Sequence, residues 1–373
     1  MRVFRPFAME RWQSTYENTV DFNLSESGVQ PLTLGELLSL SHDVDVESTS
    51  LGYGQSNGSS ELRERIAALY PGMREDAVMV TNGGAEANFV AIWELAGAGD
   101  EVAILVPTYM QTYGLAESLG ATVREIPLRE ESGWQPDPDE IASAVTDRTR
   151  VIVVTNPNNP TGARLADECR DAVIRAADRS GAWILADEVY TGAELDGVET
   201  PSFIGTCDRV IATGSLSKAY ALPGLRIGWT VSPPEMSERL WSRTDYTTIS
   251  PGDLSDHLAR IALDPAVRPK LLERTRGFLH RGLHVLEEWM NRQDVFEWKA
   301  PEAGAICYAR YDLPVGSAAL AETLRTEHSV LIVPGIHFGM DRWIRLGYGL
   351  PETELREALE RVSSAIERIG ATT

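Results

Sequence analysis

Between about residues 75 and 235, short apolar runs rich in β-branched residues alternate with stretches in which apolar positions return every three or four residues. The runs are "AVMVTN", "EVAILVP", "ATVREIPL", "RVIVVTNP", "AWILADEVY" and "RVIATGS", and "ADECRDAVIRAADRSG" is a helical pattern between two of them. Runs apolar on both faces, alternating with helices, predict βαβ units around a mostly parallel sheet flanked by helices. Past about residue 250 the pattern changes: "SDHLARIALD", "RGFLHRGLHVLEEWMNRQ" and "PETELREALERVSSAIERIG" predict amphipathic helices, with short strands before the last of them. The expected fold class is α/β, with a smaller α+β unit toward the C-terminus. No repeat, low-complexity tract or flexible linker separates the two parts.

A length of 373 residues, more than one core usually supports, agrees with a large and a small unit. No apolar run approaches the roughly 18 residues that suggest a membrane span. The start, "MRVFRPFAMERWQSTYENTV", lacks the continuous apolar segment of a secretory signal and carries acids foreign to a transit peptide, so a cytoplasmic location is expected. Cys169, Cys207 and Cys307 are too few and too far apart for a disulfide framework or a clustered metal site. With 55 acids against 34 bases the net charge is −21, which repels phosphate backbones and anionic lipid. The acidic balance fits a saline habitat and an ordinary mesophilic enzyme alike.

The strand-like runs end in unusual chemistry. "VTNPNNPTG" follows one, "ADEVY" completes the next, and "TGSLSK" ends a third. In parallel sheets, ligands gather at the carboxyl ends of strands. Each piece alone has an ordinary reading: a Pro/Asn/Gly turn, an Asp-Glu helix cap, a solvated lysine. The lysine, Lys218, stands among small and apolar residues in "GSLSKAYALPGLRIGW", and burial there would favour a neutral amine.

In order and spacing, Asn-Pro-x-Asn-Pro-Thr-Gly, Asp-x-x-Tyr, and Ser-x-x-Lys with an arginine eight residues on resemble the class I/II aminotransferases, fold-type I pyridoxal-phosphate enzymes. The resemblance runs from about Gly28 to Arg345. It implies an N-terminal segment (1–45) packing with the small domain, a large cofactor domain (46–250) and a small domain (251–373). It implies pyridoxal 5'-phosphate as cofactor, no metal, and transfer of the amino group of an L-amino acid to a keto acid. By the same resemblance Lys218 forms the Schiff base and moves the α-proton. Asp187 keeps the ring nitrogen protonated, while Asn159 and Tyr190 bond the ring oxygen. Gly84, Ala85 and Glu86 present N–H groups to the phosphate, with Ser215 and Arg226. Tyr109 stacks on the ring, unless it is a core aromatic. Tyr53 reaches the neighbouring subunit's phosphate, which makes the protein a homodimer. Arg345 binds the α-carboxylate, and Gly28 belongs to a segment that closes over the substrate.

The resemblance thins in places. "PEAGAICYARYD" replaces the usual Pro-x-Gly-Gly-x-aromatic stretch with Glu302 and Ala303, and no arginine matches the second one of dicarboxylate-specific members. "NLSESGVQPLTLGEL" and "RTDYTTISPGDLSD" are similar to the subgroup of capreomycidine synthase, which cyclises a hydroxylated arginine with the same fold and cofactor. Glu26 and Asp245 would suit such a guanidinium substrate if they line the pocket. A third alternative, a non-catalytic module of the same fold, is disfavoured because every apparent cofactor residue is retained. No G-x-G-x-x-G follows a strand, so a nicotinamide site is not expected.

Overall fold

A computed structural model describes residues 6–41 and 45–371. The first five residues of the start quoted above, and residues 42–44 of the N-terminal segment, lie outside the described residues. The strands in chain order are β1 (Phe22–Asn23), β2 (Val78–Thr81), β3 (Glu101–Val106), β4 (Thr122–Arg129), β5 (Gln135–Pro136), β6 (Thr149–Thr155), β7 (Trp183–Asp187), β8 (Val210–Ser215), β9 (Gly228–Val231), β10 (Phe296–Trp298), β11 (Ile306–Tyr311), β12 (Val330–Leu331), β13 (Val333–Pro334) and β14 (Trp343–Gly347).

The large body is an eight-stranded sheet in the order β2-β9-β8-β7-β6-β3-β4-β5. All six sequence-read runs are strands of it, and β3, β4, β6, β7 and β8 pair in parallel. The four-residue β9 breaks the pattern: it runs antiparallel to both β8 and β2. Helices cover both faces, as buried parallel strands require. The helix Asp167–Ser180 shows why: Cys169, Ala172, Val173, Ala176 and Ala177 form its buried stripe. Gly181, at φ 73°, caps it in the left-handed conformation that glycine adopts without penalty.

The smaller sheet, β10-β11-β14-β13, is antiparallel and carries Arg345 on β14, opposite Tyr308 and Val333. The N-terminal segment joins this part. β1 pairs in parallel with β12, and beyond it the chain crosses the end of β14, where the Gly347 N–H donates to the Leu24 carbonyl at 2.7 Å. A Cβ on Gly347 would lie 2.1 Å from the Glu26 carbonyl oxygen, so only glycine permits this crossing. The helix Asp253–Ala262, just past residue 250, stays with the large body: Asp256 accepts from the Ser59 N–H and hydroxyl at 2.9 and 2.6 Å.

Candidate active site

The carboxyl ends of β3, β6, β7 and β8 open on one cavity of about 290 Å³. Tyr109, Asn159, Asp187, Tyr190, Ser215 and Lys218 line it from these strand ends. The antiparallel β9 explains how Arg226 joins them: Gly228 pairs with Ser215 on one side and Thr81 on the other, so the residues just before β9 reach the same rim. Arg345 enters from the small sheet, and Glu26 and Ser27 from the N-terminal segment.

Two backbone features make an anion cradle. The helix Gly84–Leu95 begins at the rim, and Gly83 before it has φ 87°. A Cβ on Gly83 would stand 2.3 Å from the Arg226 guanidinium, so the arginine lies directly against the helix start. Gly84, Ala85, Ser215, Ser217 and Arg226 line this end. Free N–H groups at a helix start beside a guanidinium suit a phosphate. Glu86 lies apart from the cavity lining. Its N–H donates to the Gly83 carbonyl, and its carboxylate turns to the Asn82 N–H and the Thr247 and Thr248 hydroxyls.

Asp187, at the end of β7, is buried. The Asn88 amide donates to it at 2.8 Å and the Val189 N–H at 3.3 Å, while Asn88 itself accepts from Thr213 at 3.0 Å. Burial pushes the Asp187 carboxyl above its ordinary range despite these donors. Tyr190 is 2% exposed with its hydroxyl unpartnered. Asn159 accepts from Arg345 at 2.9 Å. Arg345 is 1% exposed; it also donates to the Ser25 carbonyl, and its Nε has no partner. Among the described residues this buried guanidinium has no ion pair. A planar carboxylate would complete it.

Lys218 departs from the neutral amine expected of its neighbours. Its Nζ lies 2.9 Å from Glu26 Oε1; burial lowers the lysine's pKa, but Glu26, with Tyr190, more than offsets this, and the pKa is raised. Glu26 in turn is held at about 2 by Lys218, with the Ser27 and Gly28 N–H groups donating at 2.8 and 2.9 Å. Gly28 therefore supports Glu26 from behind and does not line the main cavity.

The remaining wall is acidic. The helix Ala8–Tyr16, which the sequence reading did not anticipate, brings Glu10, Gln13 and, at its C-cap, Glu17 to the cavity. Glu10 accepts from the Tyr109 hydroxyl at 2.7 Å. The Glu17 carboxyl is raised by partial burial and by the like charges of Glu26 and Glu10. Of the two acids suggested for a cationic substrate, Glu26 lines the cavity, whereas Asp245 is exposed at the C-cap of the helix Pro234–Thr244. Among the described residues, Arg226 and Arg345 are the arginines of the lining. Tyr53 stands apart, 89% exposed. Asn88, Ser217, Glu10 and Glu17 were missed. Only Asn88 left a signal, as a polar residue one turn after Gly84, directly before the apolar run of its helix.

The amine, the buried carboxyl, the orphaned Tyr190 hydroxyl and the anion cradle together fit pyridoxal phosphate. Across residues 23–362 the sequence matches the family described as "Aminotransferase class I and II". It is 33% identical to capreomycidine synthase of Streptomyces vinaceus, covering 96% of this chain and 93% of that one. It is 28% identical to aspartate/prephenate aminotransferase of Thermus thermophilus (85% and 83% covered) and 30% to arginine–pyruvate transaminase AruH of Pseudomonas aeruginosa (85% and 83%). A pyridoxal-phosphate-dependent aminotransferase from Streptococcus suis superposes with a TM-score of 0.92 at 33% identity over 98% of both chains. The pyridoxal-phosphate-dependent cyclase OrfR follows at 0.90 and 26%, over 99% of this chain and 98% of that one. Sequence, fold and site converge, and the chain belongs to the class I and II aminotransferase family of pyridoxal-phosphate-dependent enzymes.

Proposed function

We propose that the enzyme transfers the amino group of an L-α-amino acid with a positively charged side chain to a keto acid. The carrying observation is the acidic wall: Glu10, Glu17 and Glu26 face the cavity, and among the described residues no arginine beyond Arg226 and Arg345 lines it. A second substrate carboxylate would find repulsion there, and a guanidinium or ammonium would relieve the crowding around Glu17. Two of the relatives support this reading, one named for an arginine substrate and one for capreomycidine.

Pyridoxal phosphate, when bound, supplies an aldehyde that joins an amine and a ring that draws electrons from the substrate α-carbon. In this reading Lys218 holds the cofactor and then moves the α-proton, and Asp187 keeps the ring nitrogen protonated. Tyr190 and Asn159 bond the ring oxygen, Tyr109 stacks on the ring, and Arg345 clamps the α-carboxylate. The Gly84 helix start, Ser215 and Arg226 hold the phosphate. The test offers arginine, lysine, citrulline and aspartate to purified holoenzyme and follows the cofactor absorbance. One equivalent of the amine form of the cofactor with the cationic substrates alone supports the proposal; preference for aspartate overturns it.

A second reading is cyclisation, favoured by the 33% identity to capreomycidine synthase and the likeness to the cyclase OrfR. A cyclase needs a leaving group on the β-carbon and a nucleophile in the same substrate. Steady product from a β-hydroxylated arginine without any keto acid would select it.

The proposed assembly is a homodimer. Leu51, Tyr53, Tyr246, Ile249 and Leu254 are large apolar side chains left exposed, which a second copy that takes Tyr53 into its phosphate site would cover. We place the enzyme in the cytoplasm, since its three cysteines are free and two are buried. Among the described residues no helix is long and apolar enough to cross a membrane.

A further inference from the structure

We propose that Glu26 is a positioning residue that pairs with Lys218 as an ammonium whenever the lysine is not joined to the cofactor, and leaves it a free amine when the substrate's cationic side chain takes over the carboxylate. This rests on the cationic-substrate reading above, and extends it from recognition to control of the catalytic base.

The geometry that carries it is a single carboxylate serving two places. Glu26 Oε1 is 2.9 Å from Lys218 Nζ, yet the same side chain lies on the cavity wall, its position fixed by the Ser27 and Gly28 N–H groups. About half of the Glu26 side chain remains open. Lys218 is faced by Tyr190 and Asp187 from the end of β7, by Arg345 from β14 and by Glu26 from the N-terminal segment. Asp187 and Tyr190 are committed to the cofactor, and Arg345 carries the same sign as an ammonium. Glu26 is thus the variable partner. Glu17 and Glu10 line the same cavity and add negative charge to it, drawing a substrate cation in.

With Lys218 engaged by the cofactor, Glu26 would lack its ammonium partner, and a substrate guanidinium would take that place. The Lys218 amine that the substrate then displaces finds its counter-ion engaged. It stays neutral, and its lone pair accepts the α-proton. A substrate with a neutral side chain leaves Glu26 free to recapture Lys218 as an ammonium, which has no lone pair to offer. The substrate's charge therefore sets the proton affinity of the base. Specificity enters through proton transfer as well as binding.

The test follows exchange of the substrate α-hydrogen for solvent deuterium by NMR, a readout common to transfer and cyclisation. Holoenzyme is given L-arginine or L-citrulline, its neutral isostere, across pH. The acidic limb of the rate should lie about one pH unit lower with arginine, and Glu26→Gln, which keeps the acceptor for Ser27 and Gly28, should bring the two limbs together. Coincident limbs in the wild type, or a separation that survives in Glu26→Gln, would overturn the proposal. A second measurement reads the ion pair alone: trace acetylation of Lys218 in the cofactor-free full chain at pH 7, followed by mass spectrometry. It should run about tenfold faster in Glu26→Gln, because losing the carboxylate lowers the lysine's pKa and releases more free amine. Equal labelling would overturn the proposal. Absence of exchange with every cationic amino acid, with faster labelling still observed, would instead remove the cationic-substrate reading and with it the handover of Glu26.

Discussion

The Tyr109 hydroxyl donates to Glu10 at 2.7 Å, joining the loop after β3 to the helix Ala8–Tyr16. The residue expected to stack on the cofactor thus also ties down the helix that supplies two of the acidic residues. Tyr109→Phe keeps the ring and loses the tie. We expect retained cofactor, a several-fold higher KM for a cationic substrate, a smaller change in kcat, and faster amide exchange in residues 8–16. Unchanged exchange would mean that the helix is held by its other contacts, such as the Trp12 indole N–H on the Ile332 carbonyl.

Lys218→Ala should abolish both turnover and the borohydride-reducible attachment of the cofactor, since this amine lines the cavity beside Asp187 and Tyr190. The phosphate cradle is untouched, so loosely bound cofactor should still be detectable by absorbance. A reducible attachment that persists would put the covalent link on another lysine.

Asp187→Asn replaces a buried charge with an amide of the same shape. The cofactor should remain, because Arg226 and the Gly84 helix start are intact, while the rate should fall at least tenfold, about 1.4 kcal/mol of transition-state stabilisation. The neutral amide cannot hold a pyridine nitrogen protonated. Wild-type rates would reduce Asp187 to the helix-capping role that its sequence context also allowed.

The strands and the strand-end residues were legible because they rest on local patterns. Continuous apolar runs such as Val78–Thr81 and Val210–Ser215 are what two-sided burial demands, and the motif residues follow them directly. Three things were not legible. The antiparallel sense of β9 leaves no mark, because a four-residue buried strand has the same composition in either direction. The helix Ala8–Tyr16 buries only Met9 and Gln13, too little periodicity to register. The charge state of Lys218 depends on a carboxylate 192 residues away, whereas its neighbours in sequence argue only for desolvation. Local composition reported the burial of the lysine and missed the partner that decides its proton.

Glu188 provides a test of the fold that is independent of the reaction. It is buried beside Asp187, accepts from the Ser202 hydroxyl and the Phe203 N–H, and is pushed up to about 7 by burial. The folded state therefore holds a proton that the unfolded chain, near 4.5, has released. Stability from this group is present below about pH 4.5 and is lost as pH rises through 7. Glu188→Gln keeps an acceptor for both donors and removes the titration. It should be more stable than the wild type by on the order of 2–3 kcal/mol at pH 8, with the difference shrinking toward pH 5. A difference independent of pH would show that the effect is packing.

The shared-site assembly makes the last prediction. Tyr53 is 89% exposed and lies outside the lining of its own cavity, although the family resemblance gives it a phosphate contact. In the proposed dimer, exposure of an aromatic beside Leu51, with Leu254 and Ile249 also bare, would be resolved if Tyr53 meets the phosphate of the second copy. Each active site would then combine Lys218 from one protomer with Tyr53 from its partner. Lys218→Ala and Tyr53→Ala subunits are each impaired alone. In a mixed dimer one site carries both lesions, and the other carries neither. Mixing equal amounts after mild dissociation should place half of the dimers in that mixed state, with one intact site of two, and so restore about a quarter of wild-type activity. Tyr53→Phe should weaken cofactor retention without preventing assembly, since the ring still packs. A monomer by light scattering at working concentration, or mixtures no more active than the sum of their parts, would refute the shared site.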